Sequence, residues 1–97
     1  RRCEVSAQWG RLRAAIDKLS PDWARALRVV CDDLQAGRAL SKRQRDALAR
    51  VVSSDLHESS ERVWEIAWTL KTLAKHGAPA FGYMAVDDAI ACAERGQ

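Results

Sequence analysis

The sequence predicts an all-α domain, a compact bundle of about five helices joined by short loops. Three observations carry that reading. Apolar residues recur at helical rather than alternating spacing, and helix start and stop signals punctuate the chain. Strand signals are nearly absent: β-branched residues are few, no Asn-Gly or Asp-Gly turn separates alternating runs, and Ala, Leu and Arg abound. At 97 residues, 47% hydrophobic and 30% charged, the chain suits one module spanning 1–97 and lies outside the compositions of disordered or collagen-like proteins.

In the first helix Val5, Trp9, Leu12, Ile16 and Leu19 fall within an arc of about 80°, which makes one narrow buried stripe. Ser20 before Pro21 reads as an N-cap followed by an N1 proline, and Gly37 as the residue past the C-terminus. The second helix therefore spans 21–36, with Trp23, Leu27, Val30 and Leu34 inward. The third starts at Ser41, where Gln44 completes a capping box and Leu40 is placed to staple against the alkyl stem of Arg45. Its inward residues are Leu48, Val51 and Val52.

The fourth helix, the longest, starts from an Asp55/Glu58 capping box or from Ser59 or Ser60, and Gly77 and Pro79 close it near His76. Its core stripe is Val63, Ile66, Ala67, Leu70, Leu73 and Ala74. A short helical turn is expected near 80–85, where Gly82 interrupts an aromatic cluster, and Asp87 is expected to cap a last helix ending near Arg95. Such short connections favour antiparallel neighbours.

Cys3, Cys31 and Cys92 are an odd number at wide spacing without a C-x-x-C pair, which suits a reducing cytoplasm; Cys31 and Cys92, among apolar neighbours, read as small buried hydrophobes. No apolar run approaches the length of a bilayer span and no secretory leader is evident, so a membrane role is not expected.

The search for an active site is mostly negative. His57-Glu58 begins an H-E-x-x-H pattern that lacks its second ligand, and His76 reads as a helix C-terminal cap. The adjacent pairs Asp32-Asp33 and Asp87-Asp88 diverge by about 100° on a helix, which spoils them as metal ligands. Serines 53, 54, 59 and 60 lack a positioned base, and no Gly-rich phosphate loop exists. Neither an enzyme, nor a cofactor or metal, nor a small-molecule substrate is expected.

Charge is more informative. Residues 1–50 carry twelve Lys and Arg against six Asp and Glu, whereas residues 51–97 carry four against seven. Within 38–50, Arg38, Lys42, Arg43, Arg45 and Arg50 stand against the single Asp46. Lys42 and Arg43 occupy a first helical turn, where the dipole disfavours cations, so a docked phosphate would turn a local conflict into an anion site. A solvated basic face, or one neutralised by the acidic second half, accounts for the same pattern.

On the fourth helix Trp64 and Trp68 lie about 120° to 160° from the centre of the stripe and share a face with Lys71 and Lys75. That face reads as a partner interface, as a base-stacking platform, or as the second buried side of a central helix. A helix-turn-helix is disfavoured, because the reading helix would present Glu58, Glu61 and Glu65 to the groove.

The stretch from Pro21-Asp22-Trp23 through Gly37-Arg38-x-Leu40-Ser41-x-Arg43-Gln44 to Leu48 resembles a helical hairpin of phage and mobile-element proteins of DNA metabolism, in which a Trp helix meets a G-x-x-L-S-x-[KR]-Q turn. It covers about a third of the chain and lends no catalytic residues. The small, basic, all-helical format also looks like the small helical subunits of CRISPR effector complexes.

The expectation is a non-enzymatic accessory subunit of a nucleoprotein assembly. It contacts phosphates without sequence readout through Arg38, Lys42, Arg43, Arg45 and Arg50, and its other subunits through Trp64, Trp68, Lys71 and Lys75. The alternative is a protein–protein module, a homodimer or inhibitor-like binder, that uses the Trp face.

Overall fold

Among residues 2–53 and 61–95, which the computed structural model describes, five α-helices and one 3-10 turn follow in order. These are α1 (Arg2–Asp17), α2 (Pro21–Gln35), α3 (Lys42–Ser53), α4 (Glu61–His76), the turn Ala78–Gly82, and α5 (Met84–Arg95). No strand forms among these residues, and the all-α bundle predicted from the sequence is the fold observed.

The centre is α4, which touches every other helix. Ile66, Ala67, Thr69 and Leu70 are fully buried, with Val63 and Leu73 nearly so. Ala74, expected in that stripe, is exposed because the helix has by then emerged from the core. Thr69, the buried polar residue, satisfies its hydroxyl within the helix on the Glu65 carbonyl at 2.8 Å.

α1 contributes Trp9, Leu12, Ala15 and Ile16 to the core, with Val5 and Leu19 partly buried against it. Trp9 meets Phe81 of the 3-10 turn edge to face, with ring centroids 4.9 Å apart. α2 adds Leu27 and Val30, together with Ala24 and Cys31, while Trp23 and Leu34 are half-buried. Burial pushes the Cys31 thiol up to about 11, as suits a cysteine that serves as a small hydrophobe.

Helix boundaries follow the sequence grammar with three differences. Ser20 sits at the N-cap of α2, but its hydroxyl makes no capping bond. Asp87 lies inside the first turn of α5 instead of capping it: the Tyr83 carbonyl already accepts the amides of Val86 and Asp87, so the helix starts at Met84. The expected short turn falls at Ala78–Gly82, a little before its predicted place. Gly37 and Gly77 both have positive φ, +80° and +78°, and end α2 and α4 where a residue with a Cβ would be strained. The capping residues proposed for the start of the fourth helix, Asp55 with Glu58 or Ser59 or Ser60, lie outside the described residues.

Charged clasps fix α1 against its neighbours. The Arg11 guanidinium reaches Glu94 through both Nε and Nη2, at 3.0 and 2.6 Å, and Asp87 at 3.2 Å, tying α1 to α5. Arg13 pairs with Asp32, and Arg28 with Asp17, tying α1 to α2. The hydrogen bonds and charge of Arg11 hold the Glu94 carboxyl below its ordinary value. A depressed carboxylate stabilises the fold above the unfolded-state pKa, and that contribution is lost as pH falls through the native one. Glu94→Gln should therefore cost about 1 kcal/mol at neutral pH. In urea midpoints, the gap between variant and parent should close in acid.

Candidate functional site

The turn between α2 and α3 sets the basic segment in place. The Gly37 amide donates to the Leu34 carbonyl at 3.1 Å and the Arg38 amide to the Asp33 carbonyl at 2.8 Å, a Schellman pair that reverses the chain. The predicted capping box then opens α3: the Ser41 amide donates to Gln44 Oε1 at 2.8 Å, and the Gln44 amide to Ser41 Oγ at 3.1 Å. Gln44 Nε2 also donates to Asp33 Oδ2 at 2.9 Å, which fixes the start of α3 to the end of α2.

Arg38 departs from the other four cations of the segment. The reversal lays it back over the last turn of α2, where its Nε donates to Asp33 Oδ1 at 3.0 Å. The Gln44 amide and this guanidinium hold the Asp33 carboxyl below the ordinary carboxylate range. Arg38 is thus paired with a carboxylate of the preceding helix.

Lys42, Arg43, Arg45 and Arg50 are exposed and carry no ion pair or side-chain hydrogen bond among the described residues. Lys42, Arg43 and Arg50, with Asp46 and Ala47, form a shallow basic surface on the outer side of α3. The first turn of α3 contains no acidic residue, and the capping box leaves the Lys42 and Arg43 amides without intrahelical acceptors.

The Trp face of α4 is divided by α3, which runs antiparallel along it. At one end the Trp64 indole is half-buried, and its Nε1–H donates to the Val52 carbonyl at 3.0 Å. Trp68 is half-buried and packs on the core. The Trp64 indole therefore joins α3 to α4, and both indoles are half-buried, as on the second buried side of a central helix. A helical wheel gives the angle of the face but not the neighbour that covers it.

At the other end Lys71 and Lys75 remain exposed and, like the α3 cations, unpaired among the described residues. They meet Arg45 across a cleft of about 400 Å³ between α3 and α4, floored by Leu40, Leu48, Ala49 and Ala74, with Asp46 at its edge. Two features that lie apart in the sequence converge here. The only hint of it was the Leu40–Arg45 staple, since both residues line this cleft. No cluster of His, Cys, Asp and Glu suited to a metal occurs among the described residues, and no described helix is long and apolar enough to cross a membrane.

No family model, curated protein or solved structure matches the chain.

If the Trp64 indole joins α3 to α4, Trp64→Phe should keep most of the packing but lose the N–H to Val52. The expected cost is about 1 kcal/mol in denaturant unfolding, with no new binding defect for anions. An unchanged unfolding midpoint would show that the bond contributes nothing.

Proposed function

We propose that this protein is a non-enzymatic helical accessory subunit that holds the phosphate backbone of a nucleic acid without reading its sequence. The contacts come from Lys42, Arg43, Arg45 and Arg50 of α3 together with Lys71 and Lys75 of α4, with Arg38 in a minor role. One observation carries the reading: Arg11, Arg13, Arg28 and Arg38 are paired with carboxylates, whereas the cations on α3 and the adjoining end of α4 are not, among the described residues. Arg25 of α2 is a further unpaired cation, outside this patch.

Unpaired like charges repel one another, so their crowding is tolerated most readily where an external polyanion neutralises them. Phosphates would also meet the unsatisfied amides at the start of α3. The apolar floor of the α3–α4 cleft offers no side-chain pattern for base edges, which suits contact with backbone in preference to bases. The likeness of the Pro21–Leu48 stretch to a hairpin of mobile-element and phage DNA-metabolism proteins points the same way, as does the small-subunit format seen in CRISPR effector complexes. This reading carries with it a cytoplasmic location, in keeping with free thiols at Cys31 and Cys92.

Neutralising about four to six phosphates predicts a steep salt dependence. Affinity for a fluorescent duplex should fall by about 10²- to 10³-fold between ~50 and ~200 mM salt. Lys42→Glu with Arg43→Glu should weaken binding by at least about tenfold at the lower salt, whereas Arg25→Glu should leave it near the parent value. A Kd that stays flat with salt, or that ignores the double charge reversal, rejects the proposal.

A further inference from the structure

Among the described residues, no helix packs closely along the side of α3 that faces away from α4. α3 lies along α4 but does not close onto α2, and between α2 and α3 runs a groove of about 220 Å³. Trp23, Leu27 and Val30 form one wall, and Ala47, Leu48 and Val51 the other. The Gln44–Asp33 hydrogen bond closes one end, while Trp23 and Val51 are only half-buried at the other.

We propose that this groove docks one amphipathic helix of a partner protein whose apolar stripe is edged by carboxylates. Leu27, Val30 and Leu48 are buried at the base of the groove, with half-buried Trp23 and Val51 and exposed Ala26 and Ala47 above them, so a helix laid along it would complete a three-helix contact. The rim selects the flanking charge. Arg43 lines the groove, and Arg50, seven residues on, lies on the same outer side of α3, both unpaired among the described residues. A helix with glutamates beside its apolar stripe would meet both guanidinium groups, whereas lysines there would be repelled. The apolar walls play no part in phosphate binding, but Arg43 and Arg50 belong to both surfaces, so a helix seated here and a nucleic acid would compete for them.

The probe is a lactam-bridged helical peptide of about four turns, with leucines at i, i+3, i+7 and i+10 and glutamates flanking them, matched by a peptide with lysines in place of the glutamates. No nucleic acid is present. The glutamate peptide should bind the whole chain, and the lysine peptide about tenfold or more weakly. Arg43→Glu with Arg50→Glu should invert that order. Ala47→Arg fills the groove from an exposed position and should abolish binding without changing the helical circular dichroism; Ala26→Arg on the opposite wall serves if that variant does not fold. Binding of neither peptide, equal binding of both, or binding indifferent to Ala47→Arg and Ala26→Arg overturns the proposal. So does a concentration-dependent dimer that Ala47→Arg dissolves, since a second copy of the chain would then be what covers the groove.

Discussion

Everything in this fold is arranged around α4, a helix buried along most of its circumference. A helix in that position cannot leave polar atoms to water, and α4 meets the demand within itself: Thr69 and Thr72 return their hydroxyls to the carbonyls of Glu65 and Trp68. On the α3 side, the Trp64 indole N–H donates to the Val52 carbonyl. One hydrogen bond thus satisfies a half-buried side chain and ties α3 to α4.

The placement of charge follows from that packing. The first half of the chain is basic and the second acidic, yet the carboxylates given to pairing serve α1 and α2: Asp87 and Glu94 hold Arg11, Asp32 holds Arg13 and Asp17 holds Arg28. These pairs stand between helices that share the core, where a partly shielded clasp contributes most. α3 is different. Among the described residues it has one close neighbour, that neighbour presents Trp64, Lys71 and Lys75 towards it, and none of these side chains is an anion. Its cations are left to solvent or to an external ligand.

Because α3 is attached along one side only, it separates two surfaces of different chemistry. Towards α4 lies a cleft with three cations above an apolar floor, and towards α2 an almost wholly apolar groove with guanidinium groups on its rim. Gln44 is the pivot of this arrangement. Its amide oxygen belongs to the capping box, and its amide nitrogen to Asp33, so one side chain starts the helix and sets its distance from α2 at that end.

Local rules decided which segments are helices and how most of them begin and end. The stripe of α1, the Gly37 and Gly77 termini and the Ser41–Gln44 box depend only on residues within a turn or two of one another, and each was legible in the chain. Local reasoning failed where a distant group intervened. Asp87 is a good capping residue, but the Tyr83 carbonyl already accepts the amides of Val86 and Asp87, so the helix has begun before it. Ala74 has the spacing of a core residue, but the core ends before it. Arg38 looks like one cation of a basic run, yet the chain reversal returns it to Asp33. Trp64 and Trp68 were correctly given a face of their own, but periodicity measures only an angle around one helix axis; what lies opposite depends on contacts between residues far apart in sequence. That is why the meeting of Arg45 with Lys71 and Lys75, and the groove beside them, belong to the tertiary structure alone.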